Sequence, residues 1–287
     1  MKTILVPIDF SKNADKALEA AKQIAGKSGA KLLIMYSYQP YIADYSIPES
    51  IASLPIYKEM EDDYRTKLHD RVSQALLEGY HADAVWETDG VETAVLRQAN
   101  KASADLIVVG RTGSGKFWDK LIGSSATGIA LNASCPVLII PPNHKASRFE
   151  NIVYATQLEF DENDILREVI DLVKQLEGKL KLVKVNSDWE PDIQPDRQYI
   201  EQIENELAIN QKDIVILNGN QVMHTLEDYS DKISADLLIV STRQRGFFDK
   251  LLEPGMTKKL TVDTHVPLLV YHQKSHKNQY KAPMVIL

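Results

Sequence analysis

The chain is written twice. Ala104-Asp105-Leu106-Ile107-Val108-Val109 returns as Ala235-Asp236-Leu237-Leu238-Ile239-Val240, and Phe117-Trp118-Asp119-Lys120-Leu121 returns as Phe247-Phe248-Asp249-Lys250-Leu251. Pro136-Val137-Leu138 returns as Pro267-Leu268-Leu269, and the opening run of Ile4 recurs at Ile152-Val153-Tyr154. Self-similarity over such a distance means two copies of one architecture. Within each copy, uniformly apolar runs alternate with longer amphipathic segments as β-α-β-α-β-α-β-α-β. That alternation demands a mostly parallel sheet with helices on both faces and right-handed crossovers. The expected fold is therefore α/β, two tandem doubly wound domains, each built on a five-stranded parallel sheet. Residues 1–142 form the first and 148–273 the second, joined through the short polar stretch Pro141-Pro142-Asn143-His144-Lys145. Ile4 and Ile152 stand 148 apart but Pro136 and Pro267 only 131, so the first copy is longer, and the surplus is placed at residues 40–55.

In the first copy the pattern predicts strands at 4–8, 31–36, 84–87, 106–109 and 136–140. It predicts helices from Ser11 as N-cap to about 26, at 57–78, at 91–102, and from Gly123-Ser124-Ser125 to about 133. At 287 residues there is room for two cores. No apolar run approaches the roughly 18 residues of a membrane span, and the N-terminus lacks a signal-peptide layout, so a cytoplasmic protein without a membrane partner is expected. A formal net charge of -7 argues against non-specific nucleic-acid binding. The single cysteine, Cys135, reads as a small buried residue at a strand entrance, and His144, His224, His265, His272 and His276 show no metal-ligand spacing.

The stretch 105–141 carries the chemistry. The apolar run Leu106-Ile107-Val108-Val109 ends on Gly110, glycines follow at 113 and 115, and Gly123-Ser124-Ser125 opens a helix. Glycines let backbone approach an oxyanion, and a helix N-terminus offers unpaired N–H groups, so this stretch suits phosphate. Read as Gly110-x4-Gly115-Lys116-Phe117, it falls short of a P-loop, because Phe117 replaces the hydroxyl residue that binds magnesium. Read as Gly110-x2-Gly113-x9-Gly123-Ser124, every position is filled. This second pattern resembles the ATP-binding signature of the universal stress protein family, and Val6-Pro7-Ile8-Asp9-Phe10-Ser11 fits the family's opening strand as well.

The resemblance implies a flavodoxin-like, or more broadly Rossmann-like, strand order of the adenine nucleotide alpha hydrolase type. It also implies dimerisation through the last strand, so that residues 136–140 and 267–271 would pair the halves into an intrachain pseudo-dimer, with a further homodimer as an open alternative. It implies an ATP site in which Pro7, Asp9 and Ser37 hold the adenosine end, and Gly110, Arg111, Gly113, Gly123, Ser124 and Ser125 hold the phosphates. Lys116 and Lys120 add charge there, Mg2+ is an optional companion, and ADP or AMP are alternatives to ATP. On local sequence alone Asp9 reads equally as a helix-capping carboxylate. Tyr41, Tyr45 and Tyr57 are aromatics that could stack on a base but more commonly pack a loop onto a core.

In the second copy Ser241, Gln244, Pro254 and Gly255 replace the signature, and Thr156-Gln157 stands where Asp9 stood. One nucleotide per chain is expected, with Arg243 and Arg245 in a solvated loop. The tail, 274–287, holds Lys274, Lys277 and Lys281, no acid, and an apolar end. Taken together these features suggest a nucleotide-dependent stress-response or signalling module with an unidentified protein partner. It is not an enzyme beyond slow ATP hydrolysis, and no catalytic residue is named. The rivals are a scaffold that binds no nucleotide and a true ATPase or phosphotransferase.

Overall fold

The structure, a computed structural model, describes residues 1–39, 55–111, 124–144, 148–156, 158, 162–187, 197–207, 209–242 and 266–272. Tyr41, Tyr45, Gly113, Gly115, Lys116, Lys120 and Gly123 lie outside the described residues. So do Gln157, Arg243, Gln244, Arg245, Pro254, Gly255 and the tail.

The first half runs β1 (Thr3–Pro7), α1 (Lys12–Ser28), β2 (Lys31–Ser37), α2 (Pro55–Leu77), β3 (Ala82–Glu87), α3 (Val91–Lys101), β4 (Leu106–Gly110), α4 (Ser124–Asn132) and β5 (Val137–Ile140). The second repeats it as β6 (Asn151–Ala155), α5 (Asn163–Leu176), β7 (Lys179–Asn186), α6 (Arg197–Leu207), β8 (Ile214–Asn218), α7 (Val222–Lys232), β9 (Leu237–Thr242) and β10 (Leu268–His272). Helix α1 shows why these residues form these elements. Ser11 caps it by accepting the Ala14 N–H at 3.2 Å, and Gly29 ends it in the left-handed region at φ 70. Its inner stripe of Ala17, Leu18, Ala21, Ile24 and Ala25 is buried, and the small alanines let the helix lie close on the sheet.

All ten strands form one sheet in the order β3-β2-β1-β4-β5-β10-β9-β6-β7-β8. Within each half the order is 3-2-1-4-5, the first five strands of the Rossmann order 3-2-1-4-5-6, not the flavodoxin order 2-1-3-4-5 that the resemblance implied. Pairing is parallel throughout except at one seam. There β5 and β10 run antiparallel, with Leu138 opposite Leu269 and Val137 opposite Val270. These residues are fully or almost fully buried, so the seam joins the halves into the expected pseudo-dimer and covers what would otherwise be two apolar strand edges.

The core lies in two layers, one on each face of the sheet. Ile4, Val6, Leu106 and Val108 share one layer with α1, α2 and α5, and this layer runs without a break into Ile152, Tyr154 and Leu269. Leu5, Ile107, Val109 and Val137 share the other with α3 and α4, continuing to Leu238 and Val270. Buried Lys22 of α1 bridges Glu19 at 2.9 Å and Glu78 at 2.7 Å, tying α1 to the residue just beyond α2. Lys16 donates to the Pro142 carbonyl, which fastens the inter-domain stretch to the same helix.

Candidate functional site

In a 3-2-1-4-5 sheet the chain leaves β1 to opposite sides at its two neighbours, so a crevice opens beyond the carboxyl ends of β1 and β4. That crevice is present, with a volume of about 400 Å3. Pro7, Ile8 and Asp9 enter it from β1, Tyr36 and Ser37 from β2, and Val109 and Gly110 from β4. The first turn of α1 gives Ser11, Asn13 and Ala14, the start of α3 gives Val91, and α4 gives Ser125, Ala126 and Ile129.

Of the residues the sequence singled out, Pro7, Asp9, Ser37, Gly110 and Ser125 therefore share one crevice. Ser124 opens α4 above it. Arg111 is buried just past β4, where its N–H donates to the Ile140 carbonyl at 2.8 Å, and it is not among the lining residues. Gly113 and Gly123, which sequence assigns to the phosphates, lie outside the described residues.

Local geometry fixes Asp9. Its carboxylate accepts the Ser11 N–H at 3.0 Å, while the capping of α1 itself is done by Ser11. Asp9 thus braces the turn into the helix, stays exposed, and retains acceptor capacity toward the crevice. Phe10, between them, adopts φ 61, a conformation uncommon for a non-glycine residue and recurrent at ligand-binding turns. An aromatic cluster offsets that cost: Phe10 packs on Tyr36 with ring centroids 4.8 Å apart and on Tyr64 at 5.8 Å, and Tyr36 meets Trp86 at 5.5 Å.

Sequence reasoning missed Tyr36. It looked for aromatics in residues 41–57, but Tyr36 ends an apolar strand, and only the sheet shows that its ring reaches the crevice wall. Burial first, then the neighbouring Tyr64, Tyr38 and Asp9, pushes its phenol up to about 12, so it stays a neutral hydroxyl. Tyr57 instead offers its carbonyl to the Tyr38 hydroxyl at 3.3 Å. The described lining carries one formal charge, the Asp9 carboxylate. Chemically it is an apolar slot with hydroxyl and carboxylate acceptors at its floor, suited to a sugar and a heterocycle, with the N-terminus of α4 at one side.

The second half carries different residues at the equivalent positions. Where the first half has Val6, Ser37 and Gly110, the same register positions hold Tyr154, Val185 and Ser241. Tyr154 is fully buried, and burial, with the Glu162 carboxylate nearby, raises its phenol well above the ordinary value. Thr156, also buried, donates to Glu162 and accepts the Leu158 N–H at 2.9 Å.

Comparison with known proteins fits this geometry. A model of the Universal stress protein family matches residues 1–141. A universal stress protein from the QAH/OAS sulfhydrylase 3'region of Thermus aquaticus is 31% identical over 139 residues, covering 48% of this chain and 98% of that protein. A universal stress protein of Mycobacterium tuberculosis is 30% identical over 151 residues, covering 48% of this chain and 95% of its own length. Among solved structures, a universal stress protein from Archaeoglobus fulgidus superposes with a TM-score of 0.74 at 18% identity, over 95% of this chain and 97% of its own, which places the fold of both halves.

Proposed function

Because the chain belongs to the universal stress protein family, we propose that its first half binds one adenine nucleotide, that its second half binds none, and that occupancy rather than turnover is the functional event. The observation that carries this is the crevice at the β1–β4 switch point, a slot of about 400 Å3 floored by Asp9 and Ser37 and flanked by Ser125. Its volume lies within the range of small-molecule sites, and its position is where open α/β sheets bind ligands.

Asp9 and the backbone around Ser37 take the adenosine end. Gly110 opens the way to the phosphates, with Gly113 beyond it. Gly123, Ser124 and Ser125 supply N–H and hydroxyl donors at the α4 N-terminus. ATP is the preferred nucleotide, with ADP and AMP as lesser ligands, and Mg2+, where bound, neutralises phosphate charge. Turnover is slow or absent, since the one carboxylate of the described lining, Asp9, is taken by the adenosine end and leaves no water-positioning base at the phosphates. In the cell the protein is a cytoplasmic stress-response or signalling module whose nucleotide-bound form is read by a protein partner.

The test is mass spectrometry of ligand released from the freshly purified full chain, with calorimetric titration of ATP. One adenine nucleotide per chain is expected. Two equivalent sites, or no binding at millimolar ATP, would overturn the proposal.

A further inference from the structure

Helix α4 is nine residues long, and an isolated helix shorter than about 12–15 residues is marginal in water. Its placement therefore comes from what it packs against. One face is ordinary: Ala126, Ile129 and Ala130 are buried in the same core layer as Ile107, Val109 and Val137. A second face, carrying Gly128 and Asn132 four residues apart, is polar. There the half-buried Glu92, in the first turn of α3, accepts the Asn132 side-chain N–H at 3.1 Å, and Asn132 also donates to the Gly128 carbonyl at 3.0 Å. Gly128 is the seat of this contact, because a Cβ built on it would fall inside the Glu92 carboxylate. Glycine weakens a helix interior, and the close approach of that carboxylate is the local reason for one here.

Helix α3 is itself anchored. At the crevice end Ser37 donates to the Asp89 carbonyl, and Arg97 holds the carboxylates of Asp89 and Glu87. At the far end Ser134, just past α4, donates to Asn100 at 2.6 Å. Between these fastenings Glu92 reaches the middle of α4.

The arrangement goes with the phosphate signature. Helices α3 and α7 start at Val91 and Val222, 131 residues apart, as Pro136 and Pro267 are. At that spacing the counterparts of Glu92, Gly128 and Asn132 are Met223, Lys259 and Asp263. All three residues are replaced in the half whose signature is replaced.

We propose, resting on the adenine-nucleotide reading of the crevice, that Glu92 is a positioning residue. Seated on Gly128 and bonded to Asn132, its carboxylate fixes α4 so that the helix N-terminus meets the phosphates. Glu92 is not among the residues lining the crevice, so it acts through α4 and not by touching the ligand.

Charge and position predict opposite outcomes at Glu92. A carboxylate near bound phosphates repels them, so on charge alone both Glu92→Ala and Glu92→Gln tighten ATP. Positioning requires the reverse for alanine, which removes the acceptor for Asn132, whereas glutamine keeps an oxygen there. Calorimetric titration of the full chain with ATP and with adenosine separates the two. Glu92→Ala should weaken ATP about three- to tenfold, as for one lost hydrogen bond, and leave adenosine within about twofold of the parent. Glu92→Gln should bind ATP within about twofold of the parent. Gly128→Ala should weaken ATP as Glu92→Ala does, because its methyl group displaces the carboxylate. Urea unfolding of Gly128→Ala should nevertheless find stability equal to the parent's or higher, since alanine favours the helix. A merely structural role would lower stability and affinity together.

With ATP bound by the parent, the proposal is overturned by unchanged or tighter ATP binding in Glu92→Ala, by equal weakening of ATP and adenosine, or by Glu92→Gln as weak as Glu92→Ala. The nucleotide reading stands in each of those cases. A parent that takes neither ligand overturns that reading, and the positioning role falls with it.

Discussion

A Cβ built on Gly110 would stand 2.5 Å from the carbonyl oxygen of Asn13 and 2.7 Å from its carbonyl carbon, so the last residue of β4 rests on the backbone of the first turn of α1. The glycine that heads the phosphate signature is therefore first a packing residue. In the second half Ser241 holds this position, and the helix has moved away along the chain. Helix α1 starts at Lys12, eight residues past Ile4, whereas α5 starts at Asn163, eleven past Ile152. Gly110→Ala must push α1 outward, and it should cost about 1–3 kcal/mol of stability together with nucleotide affinity. Urea unfolding followed by calorimetry of the same variant checks both, and an Ala variant of unaltered stability would refute the packing role.

Asp9→Asn separates binding from folding. In the proposed function the exposed carboxylate accepts a ligand hydroxyl, and Asn keeps an oxygen for the Ser11 N–H, so melting should be unchanged. ATP affinity should fall by about tenfold, as expected for a hydrogen bond that loses its charge. Gly113→Val should abolish binding with the fold intact, because its side chain fills the space a phosphate needs. Equal affinity in both variants and the parent would remove Asp9 and Gly113 from the site.

The architecture was legible because strand and helix differ in period, and because the repeat exposed Leu138 and Leu269 as counterparts that end their domains. Asp9 and Gly110 were legible as a carboxylate and a glycine at strand ends. Strand order was not: whether β1 or β3 sits centrally depends on which side each crossover takes, which the alternation of strands and helices leaves open. Helix α2 begins at Pro55, two residues before the expected Tyr57, and α1 runs to a Gly29 cap where Gly26 had seemed the natural stop. The contact between Gly110 and Asn13 joins residues far apart in the chain, which no local pattern encodes.

Cys135 gives a pH signature. Burial first, then Asp105, raises its thiol from 9.0 to about 11. A group that is harder to ionise in the folded state contributes stability below its unfolded value and loses it as pH rises through the folded one. Stability should thus fall between pH 9 and 11, by on the order of 2 kcal/mol for this group. Tyr36, shifted from 10.0 to about 12, extends the loss upward. Thermal melts of the parent and of Cys135→Ser across this range measure the thiol's share. Parallel curves would show that the thiol contributes none.

A chain truncated after Pro142 loses the partner of β5. It should dimerise with itself through Val137–Ile140 or aggregate, whereas the full chain holds that pairing at any concentration because β10 is tethered to it. Sedimentation that finds a stable, soluble monomer of the truncated chain at high concentration would contradict this role of the seam.

Steady-state ATP hydrolysis should be far below the median enzyme rate of about 10 per second, consistent with an occupancy switch. A phosphate-release assay returning a rate near that median would replace the switch by an enzyme.

The single antiparallel seam also gives the molecule two poles. Strands reverse direction there once, so the carboxyl ends of β1 and β4 emerge on one rim of the sheet and those of β6 and β9 on the opposite rim. The crevice of the first half and the equivalent strand ends of the second consequently look away from each other. Under the proposed function, a protein reading whether the first mouth is filled would approach from that rim only, and the other rim would stay free for a second, unrelated contact at the same time.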